Sequence, residues 1–159
     1  MIQLKTQSNL DKINQELERL AQKGKSLAPA MAEIANLLQN KVEEAFEQQT
    51  DPVTGAQWEP LSPATIASKK KKGYADPQRI LYGEGEMQEG LTSESGSSSV
   101  SVGFNVVSED GYPYPEVHQY GTKDGKLEAR PFLPMDEDGE LARHVEEEIL
   151  DILDEHFLP

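Results

Sequence analysis

The stripe Met31, Ile34, Ala35, Leu38, Val42, Ala45 and Phe46 brings an apolar side chain back every three or four residues. No other feature constrains the fold as much. That period puts all seven on one face of a helix. The spacing predicts a helix over residues 27–49, about 33 Å long. Ser26 marks its start, and Pro29 is tolerated in a first turn, where the missing N–H has no partner to lose. Upstream, Leu10, Ile13, Leu17 and Leu20 form a second stripe over residues 9–23. Ser8 is its expected N-cap, with Asp11 three residues on, and Gly24 its stop. The two stripes read as a helical hairpin whose apolar faces pack on a core. A helix this long can also protrude toward a neighbour.

The helices need something to pack on. SVSVGFNV is the clearest strand, with Val100, Val102, Phe104 and Val106 on one face and Ser99, Ser101, Gly103 and Asn105 on the other. One buried face and one wet face is the pattern of an antiparallel sheet. Ile2 and Leu4 alternate with polar residues as in a short strand, and Val117–Tyr120 is expected to pair as another. A last helix is predicted over 138–157, capped by Asp138, with Leu141, Val145, Ile149, Ile152, Leu153 and Phe157 on its apolar face. The expected fold is α+β. An N-terminal helical hairpin and a C-terminal helix pack on a small antiparallel sheet, in a single domain spanning 1–159.

Between these elements, mobile loops are expected near 50–63, 70–79, 93–98 and 108–115. Asp51-Pro52 and Thr54-Gly55 are turn formers. Trp58 and Leu61 should staple their loop to the core. Ser62-Pro63 opens a short helix running toward Lys69, and GEGEMQEGL has room for one helical turn.

Charge narrows the function classes. The chain holds 15 basic and 29 acidic side chains, a net charge of −14. Duplex DNA binding needs clustered Lys and Arg, so no specific nucleic-acid binding is expected. Lys69–Lys72 is the one strongly basic patch. It reads as a solvated helix end facing the negative pole of the dipole, or as a contact for an acidic partner or phosphate. There is no cysteine, which excludes disulfides and Cys-ligated zinc and fits a reducing compartment. The N-terminus lacks the basic start and apolar run of a signal peptide. No run approaches the roughly 20 apolar residues of a membrane span, so no membrane partner is expected.

The segment HQYGTKDGKLEARPFLPMDED, residues 118–138, is the densest in chemically capable groups. As an active site, His118 would be the general base and Arg130 an anion clamp. A base also needs a nucleophile or polarised water and an orienting group. The chain has no Gly-x-Ser-x-Gly elbow, no cysteine and no phosphate-binding Gly-x-x-x-x-Gly-Lys motif. His144 and Glu148 stand four apart on one helix face, a spacing that a metal could use but which alone is weak. Asp136, Asp138 and Gly139 miss the register of a calcium loop. No metal or cofactor is expected.

As architecture, the same segment makes sense throughout. Lys123 to Lys126 form an exposed turn after Gly121-Thr122. Arg130 precedes a proline and is pushed to extended backbone. Pro131 and Pro134 bracket Phe132-Leu133 and hold them rigid. Such an arm docks on its own core or on a neighbouring subunit, and aromatics with Arg are the residues enriched at interface hot spots.

In combination these residues resemble a known family. His118-Gln119-Tyr120-Gly121-Thr122 followed by Ala129-Arg130-Pro131-Phe132-Leu133 is similar to the phage virion morphogenesis family, the Mu-like tail-completion proteins. Asp51-Pro52 with Gly55 and Trp58, then Leu61, Thr65 and the basic run ending at Gly73, agree in order. So do Ile80-Leu81 with Gly85 and Met87. Glu84 and Glu86 around Gly85 depart from the pattern. The resemblance implies a non-enzymatic structural role late in assembly, at tail completion or head–tail joining. It implies rings of the protein itself in the virion, contacts with other tail or neck proteins, and host cytoplasm as the place of assembly. The contact residues would be His118, Gln119, Tyr120, Gly121, Arg130, Pro131 and Phe132, with Trp58 as loop anchor. Arg130→Ala or Phe132→Ala is then expected to spare helix content and block assembly.

Two other classes compete. An acidic decoy that mimics DNA would use the charge, but about a third of the acids sit in the last helical segment rather than along a rod. A small hydrolase or metalloenzyme would use His118 with Arg130, or His144 with Glu148.

Overall fold

In the computed structural model, residues 10–157 are described. The expected Ile2–Leu4 strand and Ser8 cap lie outside them. Among the described residues there are six helices and one two-stranded antiparallel sheet. In chain order these are α1 (Asp11–Gln22), α2 (Ala28–Gln48), α3 (Pro63–Lys71), α4 (Glu86–Glu89), β1 (Leu91–Ser95), β2 (Val100–Phe104), α5 (Tyr114–Tyr120) and α6 (Arg143–Phe157). The α+β class follows the sequence reading, and both predicted N-terminal helices form, but α1 packs chiefly on α6 while α2 carries the sheet.

Helix α2 is the spine. Pro29 sits in its first turn, and the whole predicted stripe from Met31 to Phe46 is buried. Both strands pack on α2, and α6 packs on α1 and α2. The buried residues join in one cluster that also takes in Ile13 and Leu20 of α1 and Val145, Ile149 and Leu153 of α6. Polar ties reinforce the helix packing: Lys41 Nζ reaches Glu148 Oε1 at 2.9 Å, and His156 Nε2 meets Glu33 Oε2. Helix α2 ends on Gln49, whose φ of +54 is left-handed. A non-glycine residue there is strained, and its neighbours explain why it persists. The Gln49 carbonyl accepts from Trp58 N at 2.8 Å, and its side-chain Oε1 accepts from Ile80 N at 2.6 Å.

The sheet pairs Leu91 with Phe104, Ser93 with Val102 and Ser95 with Val100. Strand β2 lies within its predicted segment, with Val102 and Phe104 buried as expected, but it ends at Phe104, and Gly103, expected on the wet face, is buried too. Strand β1 corrects the expected loop at 93–98, which begins only after Ser95. On the face it shares with Val102 and Phe104 it carries Leu91, Ser93 and the exposed Ser95, so no apolar alternation marks it. Ser93 is held instead by a hydroxyl bond to Gln39 Oε1 of α2, at 2.7 Å.

Two further corrections concern period and cap. Val117–Tyr120 is not a strand but the last part of helix α5. Four residues are too few to separate a period of two from one of 3.6. Pro115 and Glu116 in the first turn favour the helix. The loop expected at 108–115 therefore stops at Pro113. Helix α6 starts at Arg143, not at Asp138. Asp136 organises the preceding loop, its carboxylate accepting from Asp138 N at 3.0 Å and Glu140 N at 2.9 Å. Leu141 bridges to Met135 and enters the core from this loop rather than from the helix.

Helix α3 begins as predicted, with Ser62 Oγ accepting from Thr65 N at 3.2 Å. None of its residues is buried. In the loop before it, Thr50 bridges to Gln57 and Trp58 turns inward.

Candidate assembly site around helix α5

Helix α5 and the arm 129–134 lie against each other through one side chain. Gln119 is buried, and its Oε1 accepts from Phe132 N at 2.9 Å and from Leu133 N at 3.0 Å. An extended arm between two prolines has no ladder partner for these amides, and a buried unpaired N–H is costly. The glutamine side chain stands where a neighbouring strand would. Beside it, Arg130 N donates to the His118 carbonyl at 2.8 Å.

The arm is pinned on its other side by the loop after α2. Trp58 Nε1 donates to the Pro131 carbonyl at 2.8 Å. The Arg130 guanidinium donates through Nε and Nη2 to the Glu59 carbonyl, at 3.0 and 2.9 Å. Phe132 then enters an aromatic cluster. It stacks on Phe46 with ring centres 5.2 Å apart, and meets Phe104 edge-on at 5.0 Å. Trp58 meets Phe46 edge-on at 5.8 Å. Four chain segments, α2, the 57–61 loop, β2 and the arm, thus share one packed centre.

Gly121 makes the turn between α5 and the arm possible. Its φ is +71, and a Cβ there would lie 2.8 Å from both Ala129 N and Leu127 O. The turn that follows is knit by Thr122, whose N donates to the Leu127 carbonyl at 2.9 Å and whose Oγ1 accepts from Leu127 N at 3.0 Å.

The predicted contact residues therefore divide. Trp58, Gln119, Arg130 and Phe132 are interior, with Phe132 0% exposed. His118, Gly121 and Pro131 are half-buried. Tyr120 is 44% exposed and is the large apolar side chain of the set that faces outward. The interior four hold the corner in shape from within and present no side chain to the surface. The residues that sequence reasoning missed are Gln49, the Glu59 carbonyl and Asp136. Only Asp136 carries a local signal, an Asp followed by Gly three residues on.

As chemistry, the site offers little beyond one imidazole. Burial, and then the nearby Arg130 charge, hold His118 below its ordinary pKa, so it is neutral near pH 7. Its Nδ1 is enclosed and has no hydrogen-bond partner among the described residues, so no carboxylate orients it as a base. Arg130 is spent on a backbone carbonyl. A cleft of about 680 Å³ opens next to His118, walled in part by Lys69, Tyr74, Tyr82 and Tyr114. Lys69 is itself engaged, donating to the Arg79 carbonyl at 2.6 Å. His144 is exposed, while Glu148 is paired with Lys41. Among the described residues, no group of three His, Asp or Glu side chains is placed to hold a metal, and no helix is long and apolar enough to cross a membrane.

The comparisons with known proteins agree with this architectural picture. No solved structure matches the chain. Protein G of Escherichia phage Mu, named for capsid assembly, is 29% identical over 113 residues, covering 67% of this chain and 68% of that protein. The G protein 2 of the Mu-like prophage FluMu of Haemophilus influenzae is 31% identical over 140 residues, covering 82% and 84%. The phage virion morphogenesis family matches residues 8–158, a span that includes every described element, and the chain belongs to that family.

Proposed function

We propose that the chain is a non-enzymatic structural subunit of a tailed phage or prophage, acting at tail completion or head–tail joining. One observation carries the reading. The Arg130 guanidinium is spent on the Glu59 carbonyl and the Gln119 amide on the arm, while the His118 imidazole has an enclosed Nδ1 with no partner among the described residues to orient it as a base. A protein that builds its densest polar segment into a rigid corner presents a shaped surface, not a reaction centre. Family membership supports a morphogenesis role. The finer placement at the tail end rests on the resemblance of the HQYGT and ARPFL segments.

In this reading the protein works in the host cytoplasm during assembly and then in the virion. It contacts further copies of itself and neighbouring tail or neck proteins, and needs no cofactor. Tyr120, half-exposed at the end of α5, marks the surface it presents.

Deletion of the gene from its phage or prophage, followed by electron microscopy of lysates, tests this. Filled heads beside separate tails are the expected outcome. Intact, normal particles would overturn the reading and favour an acidic DNA-mimic decoy.

A further inference from the structure

Charge in this chain is segregated. Lys69–Lys72 holds 4 of the 15 basic residues, and Asp136–Glu155 holds 10 of the 29 acids. The basic run closes α3, with Lys70, Lys71 and Lys72 all exposed. On α6 the exposed acids Glu147, Asp151, Asp154 and Glu155 recur at four, three and one residues, which is one helical face. Among the described residues no ion pair joins these two patches. Arg143 takes Glu147, and Arg19, which lies near Asp154, is already bonded to Glu16.

Helix α3 has a second property. It is nine residues long and buries none of them. A helix that short is marginal without a packed face. Its caps at Ser62 and the Lys69–Arg79 tie hold it in place, yet its outward side, with the small residues Ala64, Ala67 and Ser68, is exposed. Small side chains allow another helix to approach closely.

We propose that α3 of one copy docks on the acidic outer face of α6 of a second copy. The exposed lysines meet Asp151, Asp154 and Glu155, and the small-residue side of α3 is covered in the contact. The two patches differ, so the contact is head-to-tail, leaving one α3 and one α6 free at the ends of any pair. It deepens the assembly reading by naming the surfaces through which copies meet. Because the contact is carried by exposed charge, it is salt-sensitive.

A charge-swap experiment on the full-length protein tests it by sedimentation velocity. Wild type should sediment faster as concentration rises at low salt, and lose this near 1 M NaCl, where the screening length is about 3 Å. The variant K70E/K71E/K72E and the variant D151K/D154K/E155K should each stay monomeric. Mixed together they should associate, because every α3 then finds an α6 of opposite charge. The neutral variant K70Q/K71Q/K72Q, which keeps the end of α3 free of new acid, should weaken association as well. Circular dichroism matching wild type confirms that the folds are kept. A wild type monomeric at low salt, a lysine variant that still associates, or a mixture that stays monomeric would each overturn the proposal. Such a failure leaves the assembly reading untouched, since normal particles after gene deletion would remove that reading and not this contact.

Discussion

Gln119 and Phe132 stand 13 residues apart in sequence, and one glutamine oxygen, bonded to the Phe132 amide at 2.9 Å, fixes the position of the ring. The same oxygen holds Leu133. A single polar atom therefore sets the register of the whole arm against α5. Gln119→Leu keeps the volume but strands two buried amides. The expected loss is about 1–3 kcal/mol for each, read as a lower urea midpoint with an unchanged slope. A variant as stable as wild type would mean that the arm is held by packing alone.

Phe132→Ala empties the aromatic centre. The sequence reading expected this change to spare the helices, but a fully enclosed ring between Phe46 and Phe104 does not allow it. The cost should be about 3–5 kcal/mol, a large part of the roughly 5–15 kcal/mol typical of a domain. Thermal melting by circular dichroism should show a strongly lowered midpoint or no cooperative transition.

Gly121→Ala should be harmful although alanine is small. The added carbon meets two backbone atoms that cannot swing aside, at a left-handed φ. Gly125→Ala is the control, since its φ is also +71 but the space around it is open. The Gly121 variant should lose clearly more stability than the Gly125 variant. Equal losses would assign the whole effect to φ.

His118 should make stability depend on mildly acidic pH. Its folded pKa lies below the reference 6.5 because burial and Arg130 disfavour the charged ring. Below about pH 6.5 the unfolded chain takes up a proton that the folded chain refuses. The His118 contribution is therefore fully present above about pH 6.5 and is lost as pH drops from there through the lowered folded value. Urea unfolding at about pH 7.5 and about pH 5.5 should show a smaller difference in His118→Gln than in wild type. An identical difference would mean the ring is solvated in the folded protein.

Tyr120→Ser separates surface from scaffold. The side chain is 44% exposed, so the loss of stability should be about 1 kcal/mol, well below that of Phe132→Ala. Complementation of the gene deletion should nonetheless yield fewer joined particles. Full complementation would exclude Tyr120 from the contact surface.

The sequence showed the helices best where long apolar stripes left only one period possible. Residues 31–46 stayed on one face throughout, and Gly24, with φ +71, ended α1 as expected. Short elements were less legible. Strand β1 hides because only Leu91 is apolar on its core-side face, and the partly buried Ser93 beside it is satisfied by Gln39, distant in sequence. Helix α5 hides because four residues fit either period. At the candidate site, the HQYGT and ARPFL segments were visible as a rigid corner. What could not be read was the direction of each side chain. Gln119 and Arg130 look like contact residues by type, yet both turn inward, Gln119 to backbone amides of the nearby arm and Arg130 to a carbonyl of the remote 57–61 loop. No local pattern encodes a carbonyl such as that of Glu59.

Trp58 is the chain's single tryptophan, and its indole bridges the loop after α2 to the arm that α5 carries. The protein thus contains its own optical probe at the junction it most depends on. A blue-shifted emission reports the arm seated, and a red shift reports it released, without any label. Particle assembly could be followed in real time by light alone, provided the other subunits are kept dark by replacing their tryptophans.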